Sequence, residues 1–220
     1  MITFQNVSKY YDYHTVLRNV SVTLEKGEMV FITGPSGAGK STFLKLMYMA
    51  EIPDEGEITI DNRQLSSLKM SHVPLVRLNI GVVFQDFKLI NTITVFDNVA
   101  LALRIRKVPD RELKMRTSEA LKKVNLRHLG DSYPRSLSGG EQQRIAIARA
   151  IVSEPTVLLA DEPTGNLDPN TALDIIRLFR DINLHGTTIL IATHNRELFR
   201  GTGKRVLKLD GGSIAGEEVG

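Results

Sequence analysis

The chain has 220 residues, 42% hydrophobic and 24% charged, with a formal net charge of +3. That composition is globular, supports one substantial core and excludes a disordered or fibrous chain. Cysteine is absent, so disulfides and thiolate metal sites are excluded and a reducing compartment is compatible. Lys and Arg are dispersed rather than gathered in a stripe, so no direct nucleic-acid binding is expected. The local run Arg104-Ile105-Arg106-Lys107, with Arg111, Lys114 and Arg116, reads as a solvated helical face, with a lipid or partner contact as the alternative. The start Met1-Ile2-Thr3-Phe4 lacks signal-peptide features, and no apolar run approaches the roughly 20 residues that cross a bilayer. Any membrane role is therefore expected to belong to another polypeptide.

In chain order, Tyr10, Tyr11 and Tyr13 crowd one short stretch, and any of them could offer a flat aromatic face. Strand signals follow at Ser21–Leu24 and at the apolar run Met29–Thr33. The latter leads into Gly34-Pro35-Ser36-Gly37-Ala38-Gly39-Lys40-Ser41 and then the helix-like Thr42-Phe43-Leu44-Lys45-Leu46-Met47. Strand, glycine-rich loop and helix in this order form a phosphate loop. Its glycines let backbone N–H groups curl around phosphates, and the following helix end adds a positive dipole. Lys40 then reaches the β- and γ-phosphates of a nucleotide, and the Ser41 hydroxyl holds Mg²⁺.

Further strands are expected at Glu57–Ile60, after the turn Asp54-Glu55-Gly56, and at Ile80–Phe84. From about Asp86 to Val152 the periodicity turns helical, with helices over Val95–Ile105, Asp110–Val124 and Glu141–Ile151 and a break at Asp131-Ser132-Tyr133-Pro134. Within Leu137-Ser138-Gly139-Gly140-Glu141-Gln142-Gln143, Ser138 can cap a helix beginning around Gly140, and the glycines leave its N–H groups open to an anion. Thr156–Ala160 reads as a strand buried on both faces, bounded by Pro155 and Pro163, with Asp161 and Glu162 at its carboxyl end. Asp161 is placed to support Mg²⁺ and Glu162 to polarise or deprotonate an attacking water. A helix over Ala172–Asn183, a strand Thr188–Thr193 ending at His194 and a hairpin-like Val206–Ile214 complete the chain.

Along essentially its whole length the chain resembles the nucleotide-binding subunits of the ABC ATPases. The resemblance implies an α/β fold: a RecA-like P-loop NTPase core with a mostly parallel sheet, an antiparallel β edge and an inserted helical subdomain. Residues 1–220 would form a single ABC ATPase domain, with 1–85 and 153–220 as the nucleotide-binding core and 86–152 as the helical subdomain carrying the signature. It implies that Tyr11 stacks on adenine and that Gly34 to Thr42 hold the nucleotide. Gln85 matches the glutamine between the subdomains, a metal and catalytic position, and His194 matches the switch histidine; with Lys40 and Glu162 they make up the implied catalytic set. Ser138, Gly139, Gly140 and Glu141 belong to the signature, which in the family docks on the γ-phosphate held by a partner subunit, and Asn166-Leu167-Asp168 resembles the loop that crosses the dimer. Two ATP molecules would be sandwiched in a head-to-tail homodimer.

Three stretches, Glu51-Ile52-Pro53, Val73 to Leu89 and Ala160 to Asp168, are most similar to the bacterial cell-division ATP-binding members of the family. Arg77-Leu78-Asn79 departs from the doubled arginine of that group. This narrower resemblance implies an integral, FtsX-like membrane partner, indirect control of cell-wall hydrolases or other divisome proteins, and a peripheral position on the cytoplasmic face of the bacterial inner membrane. Gly165-Asn166-Leu167-Asp168 is shared with lipoprotein-releasing and macrolide-exporting relatives, so an exporter energy subunit is the alternative, and an ATP-gated scaffold with little turnover is a third. Between Gln85 and Leu137 only a compact helical lobe fits, which excludes the long coiled coil of chromosome-maintenance relatives. In the family the groove beside the glutamine loop receives a coupling helix of the membrane partner. Phe84, Phe87, Leu89 and Phe96 are candidates to line it, with ordinary core packing the alternative for each.

Overall fold

The computed structural model describes all 220 residues. Four strands, β1 (Ile2–Tyr11), β2 (His14–Leu24), β4 (Glu55–Ile60) and β5 (Arg63–Gln64), form an antiparallel sheet in the order β2-β1-β4-β5. Six more, β3 (Met29–Thr33), β6 (Ile80–Val83), β7 (Val157–Asp161), β8 (Thr188–Ala192), β9 (Arg205–Asp210) and β10 (Ser213–Val219), form a second sheet in the order β10-β9-β3-β8-β7-β6. Every neighbouring pair in it is parallel except the β9–β10 hairpin. Six helices complete the fold: α1 (Lys40–Met47), α2 (Val73–Arg77), α3 (Val95–Ile105), α4 (Asp110–Lys123), α5 (Gly139–Ile151) and α6 (Pro169–Leu184).

The strands β3, β7 and β8 read as unbroken apolar runs because both of their faces are covered. Phe31, Leu158, Ala160, Ile189 and Ile191 point into one apolar cluster with α3, α4, α5 and α6. Val30, Ile32, Leu159, Leu190 and Ala192 point into another with α1 and the antiparallel sheet. Phe4 of β1 stacks on Phe43 of α1 at 4.2 Å between ring centroids and 8° between planes, which fastens the antiparallel sheet to the helix after the phosphate loop. The helices of 86–152 share their apolar cluster with the parallel sheet, so the signature segment stands on the main core instead of on a separately cored arm. Gly81 of β6 makes this approach feasible, since a Cβ there would lie 2.6 Å from the Ala150 carbonyl oxygen of α5.

Strand β1 and the first half of β2 lie outside the expected elements. Their pairing shifts register between Phe4 and Val7, Val7 and Lys9, and Lys9 and Tyr10, and such bulges break the period-2 alternation by which a strand is read. The short helix α2 is likewise unexpected, with Pro74 in its first turn. Helix α6 begins three residues before the expected start because Asp168 caps it and Pro169 occupies its first position.

Between β6 and α3 the chain carries no regular structure over residues 84–94, and one side chain holds its second half. Asn98, fully buried, accepts from the Ile90 N–H at 2.8 Å and donates through Nδ2 to the carbonyls of Ile90, Ile93 and Thr94 at 3.0, 3.3 and 3.0 Å. Removing it leaves one main-chain N–H and three partly sheltered carbonyls without this partner. Asn98→Ala is expected to lower unfolding stability by about 3 kcal/mol, measured by urea denaturation; a loss under about 1 kcal/mol would show that water replaces the amide.

Candidate active site

The carboxyl edge of the parallel sheet collects the expected site residues, as open α/β sheets do. Ile32 of β3 is level with Ala192 of β8, and Asp161 of β7 is level with the same Ala192, so the segments that leave these strands diverge from one line. From β3 the chain enters the Gly34–Gly39 loop. Gly34 has φ +154 and a Cβ there would fall 2.0 Å from the Leu209 carbonyl oxygen; Gly39 has φ +100 and a Cβ would fall 2.7 Å from the Val16 carbonyl oxygen. Only glycine fits either place. Helix α1 begins at Lys40 with no side chain capping its N–H groups and no acid in its first turn, an end that suits a phosphate group. Lys40 is buried, and its Nζ donates to the Gly34 and Pro35 carbonyls at 2.8 and 3.0 Å, within the loop it is expected to serve. Thr42 lies on the buried side of α1.

Ser41 Oγ donates to Asp161 Oδ1 at 3.0 Å. Burial pushes the Asp161 carboxyl above the usual range, and the neighbouring Glu162 charge adds to this, while the Ser41 hydrogen bond and the charges of Lys40 and Lys45 oppose it. A hydroxyl and a half-buried carboxylate side by side are hard oxygen donors of the kind Mg²⁺ selects. A cation there would relieve the cost of keeping Asp161 ionised.

Glu162 adopts φ +44, a left-handed conformation uncommon for a residue with a Cβ and typical of sites that hold strain. Its N–H donates to the Ala192 carbonyl at 2.9 Å, and its Oε1 accepts from both the backbone N–H of His194 at 3.1 Å and His194 Nδ1 at 2.8 Å. Because the carboxylate accepts, Nδ1 is the protonated nitrogen and Nε2 is presented outward. The Glu162 side chain is 15% exposed and that of His194 68%, so a sheltered carboxylate is aimed by an accessible imidazole.

Gln85 is exposed just beyond β6. Its main-chain carbonyl accepts from Asn166 Nδ2 at 3.3 Å, and its amide packs against Gly165, where a Cβ would be 3.1 Å from Nε2. The glutamine thus touches the loop that follows Glu162, and it makes no hydrogen bond to Ser41 or Asp161. At the end of β1, the Tyr11 hydroxyl is buried without a hydrogen-bond partner, its phenol raised chiefly by that burial, and Lys9 Nζ lies 5.5 Å from the ring centroid. Tyr13, in the β1–β2 turn, projects fully into solvent.

The signature opens α5. Ser138 is its N-cap and forms a capping box: Ser138 Oγ accepts from the Glu141 N–H at 3.4 Å, and the Glu141 carboxylate accepts from the Ser138 N–H and hydroxyl at 2.9 and 2.7 Å. The Ser138 hydroxyl holds the Glu141 carboxyl below the usual range. This is a departure from the open helix end expected from the glycines alone, because the carboxylate of Glu141 lies over it. Gly140 is backed by Thr171, whose Cγ2 would lie 2.7 Å from a Cβ, and Gly139 by Leu167. Asp168, exposed, accepts from the N–H groups of Asn170 and Thr171, both at 3.1 Å; hydrogen bonding from Thr171 holds its carboxyl below the usual range. No hydrogen bond or ion pair joins Ser138–Glu141 to the phosphate loop of the same chain.

Beside Gln85 a groove of about 690 Å³ runs between α2, β6, α3 and α5. Phe84 lines it. The other three aromatic and aliphatic candidates do not: Leu89 and Phe96 pack on the main apolar cluster, and Phe87 lies near Gly139. What the sequence reading missed is Arg149, whose Nη1 and Nη2 donate to the Lys88 and Phe87 carbonyls at 2.6 and 2.7 Å. Phe87 and Lys88 both have positive φ, +57 and +48, so Arg149 on the signature helix holds a strained turn two residues past Gln85. An arginine set among Ile145, Ala148, Ala150 and Ile151 was the available signal.

Because the Asp161 carboxyl is raised in the folded chain, its ionised form destabilises the fold above that raised value, and the penalty fades as pH falls through it. Without divalent cations, Asp161→Asn is expected to raise Tm at pH 7 and to lose that advantage below the ordinary Asp value of 3.8. Paired melts across that range measure the difference; a variant less stable than the parent at pH 7 would overturn it.

Residues 17–165 match the family described as ABC transporter. The chain is 47% identical to the cell division ATP-binding protein FtsE of Bacillus subtilis (strain 168), over 99% of this chain and 96% of that protein. It is 46% identical to FtsE of Escherichia coli (strain K12), over 98% of each. Among solved structures, a dimeric post-hydrolysis state of the ATP-binding cassette MJ0796 bound to ADP and Pi superposes with a TM-score of 0.91 at 37% identity, covering 100% of this chain and 98% of that one. The loop, the paired acids and these likenesses together identify the chain as a member of the ABC transporter family, an ATP-binding subunit with ATPase activity.

Proposed function

We propose that the protein is a division-type ABC ATPase that closes around two ATP as a head-to-tail homodimer and drives a conformational change in an FtsX-like membrane partner. Through it the subunit regulates cell-wall hydrolases or other divisome proteins from the cytoplasmic face of the bacterial inner membrane. No helix is long and apolar enough to cross a membrane. The groove beside Gln85, lined by Phe84, Val82 and Ile105, is the seat this reading gives to the membrane partner. The cell-division assignment rests on the near full-length likeness to FtsE proteins.

The observation that carries the chemistry is the Glu162 carboxylate, held at 2.8 Å by His194 Nδ1 and adjoining the Ser41–Asp161 pair. The loop amides and Lys40 bind the β- and γ-phosphates, and Tyr11 serves the adenine. Ser41 and Asp161, with Gln85, would hold Mg²⁺, which would supply positive charge to offset that developing on the phosphates. Glu162 accepts the proton of the attacking water, and His194 fixes the carboxylate's orientation and offers Nε2 toward the phosphate side. The start of α1 has no capping side chain and no acid of its own in the first turn, which leaves its N–H groups open to the anion. The signature has no bonded role in its own protomer's phosphate loop, which suits a function in trans. Closing on a partner's phosphate requires the Glu141 carboxylate to leave the α5 terminus or to share it through Ser138.

Three outcomes are expected. Glu162→Gln retains ATP binding and forms a dimer that persists in ATP, read by light scattering; a monomer under those conditions would sink the sandwich. Lys40→Ala lowers ATP affinity by about 10- to 100-fold, read by calorimetry, and normal turnover by it would overturn the site. The Glu162→Gln protein purified from its own cells in ATP is expected to bring a membrane protein with few spanning helices, a large extracytoplasmic domain and an attached wall hydrolase, identified by mass spectrometry. Recovery of lipoproteins, a periplasmic adaptor or an outer-membrane duct would make this an exporter subunit.

A further inference from the structure

The groove beside Gln85 is apolar but strongly one-sided in charge. Its lining holds three arginines, Arg77, Arg106 and Arg149, and not one acidic residue. Elsewhere the chain matches its sheltered arginines with carboxylates: Arg205 with Glu28 and Glu217, Arg116 with Glu112 and Glu154, Arg144 with Asp174. The groove arginines form no ion pair and instead lean on main-chain carbonyls. Arg77 donates to those of Tyr48 and Met49, both at 3.0 Å, Arg106 to that of Leu78, and Arg149 to those of Phe87 and Lys88.

A guanidinium carries five N–H donors, so each of these keeps donors to spare. Arg106 and Arg149 are half-buried, and a cation withdrawn from water without a counter-charge is costly. Burial lowers the affinity of both for their protons, in keeping with that cost. Carbonyl dipoles compensate only part of a full charge. At the rim, Ile105 is 69% exposed on the last turn of α3, an apolar side chain left facing water next to Arg106.

Resting on the reading of this groove as the seat of the membrane partner, we propose that its occupant is an apolar helical segment bearing carboxylates, which pair with Arg106 and Arg149 and, at the outer end, Arg77. The apolar side chains of the segment cover Ile105, Phe84 and Val82, and its acids supply the counter-charge the groove lacks. The same rule excludes the wrong partner: a segment with lysine or arginine at those positions meets three like charges in a partly dry cleft.

The test uses the full-length protein and two fluorescent helical peptides of about 15 residues, with a Leu/Phe stripe flanked by two Glu in one and two Gln in the other. By anisotropy, the Glu peptide is expected to bind about tenfold tighter than its Gln twin. That preference should shrink when salt is raised from about 0.05 to about 0.3 M, and fall to about twofold or less in Arg106→Gln or Arg77→Gln, each checked for an unchanged melt. Ala102→Glu, which places an acid inside the groove, is expected to abolish binding of both peptides. Equal binding of the twins, both lost in Ala102→Glu, would overturn the charge rule and leave the groove as the docking seat. Failure of both to bind, or indifference of both to Ala102→Glu, would overturn the groove reading as well. Displacement of the Glu peptide by phosphatidylglycerol vesicles that bind the parent but not Arg106→Gln would make the occupant a lipid surface and overturn the proposal.

Discussion

Burial of β3, β7 and β8 on both faces is the constraint from which the rest of the molecule follows. Their side chains alternate between two apolar clusters, so none of the three strands can slip by one residue without exchanging its entire set of contacts. With the register locked, Asp161 stands level with Ala192 and Ala192 with Ile32. The chain therefore leaves all three strands at one edge, and Lys40, Ser41, Asp161, Glu162 and His194 converge although they lie far apart in sequence. Site geometry is here a by-product of core packing, which makes the placement rigid.

That rigidity allows unfavourable local features to persist. Glu162 sits at positive φ, Phe87 and Lys88 do the same in succession, and Asp161 is a half-buried acid. Each would relax in an isolated peptide. They cluster within or beside the carboxyl edge of the parallel sheet and the glutamine segment, where strain held by surrounding structure is a common mark of function.

The signature helix connects those regions. Helix α5 starts at the Ser138–Glu141 capping box, packs its middle into the main cluster, and near its end sends Arg149 to the turn past Gln85. Asn98 secures the rest of that connection. The segment beside the groove and the signature are thus joined through one helix and one guanidinium, while Gln85 touches the loop after Glu162 through Gly165 and Asn166.

Much of this was legible in the residues themselves. Glycines at positions 34, 37 and 39 before a lysine, an apolar run closing in two acids, a second closing in a histidine and a serine three residues before Glu141 are local patterns, and chemistry that depends on local spacing is written in one dimension. Helix α3 was read to its ends because its period is clean and Thr94 caps it; β1 was missed because bulges erase the alternation. Which tyrosine is buried, that Leu89 and Phe96 serve the core, that Glu141 folds back over its helix, and that three arginines share a groove without an acid were decided only by tertiary structure. Burial and charge pairing arise between segments distant in the chain, and no periodicity within a segment records what another segment brings against it.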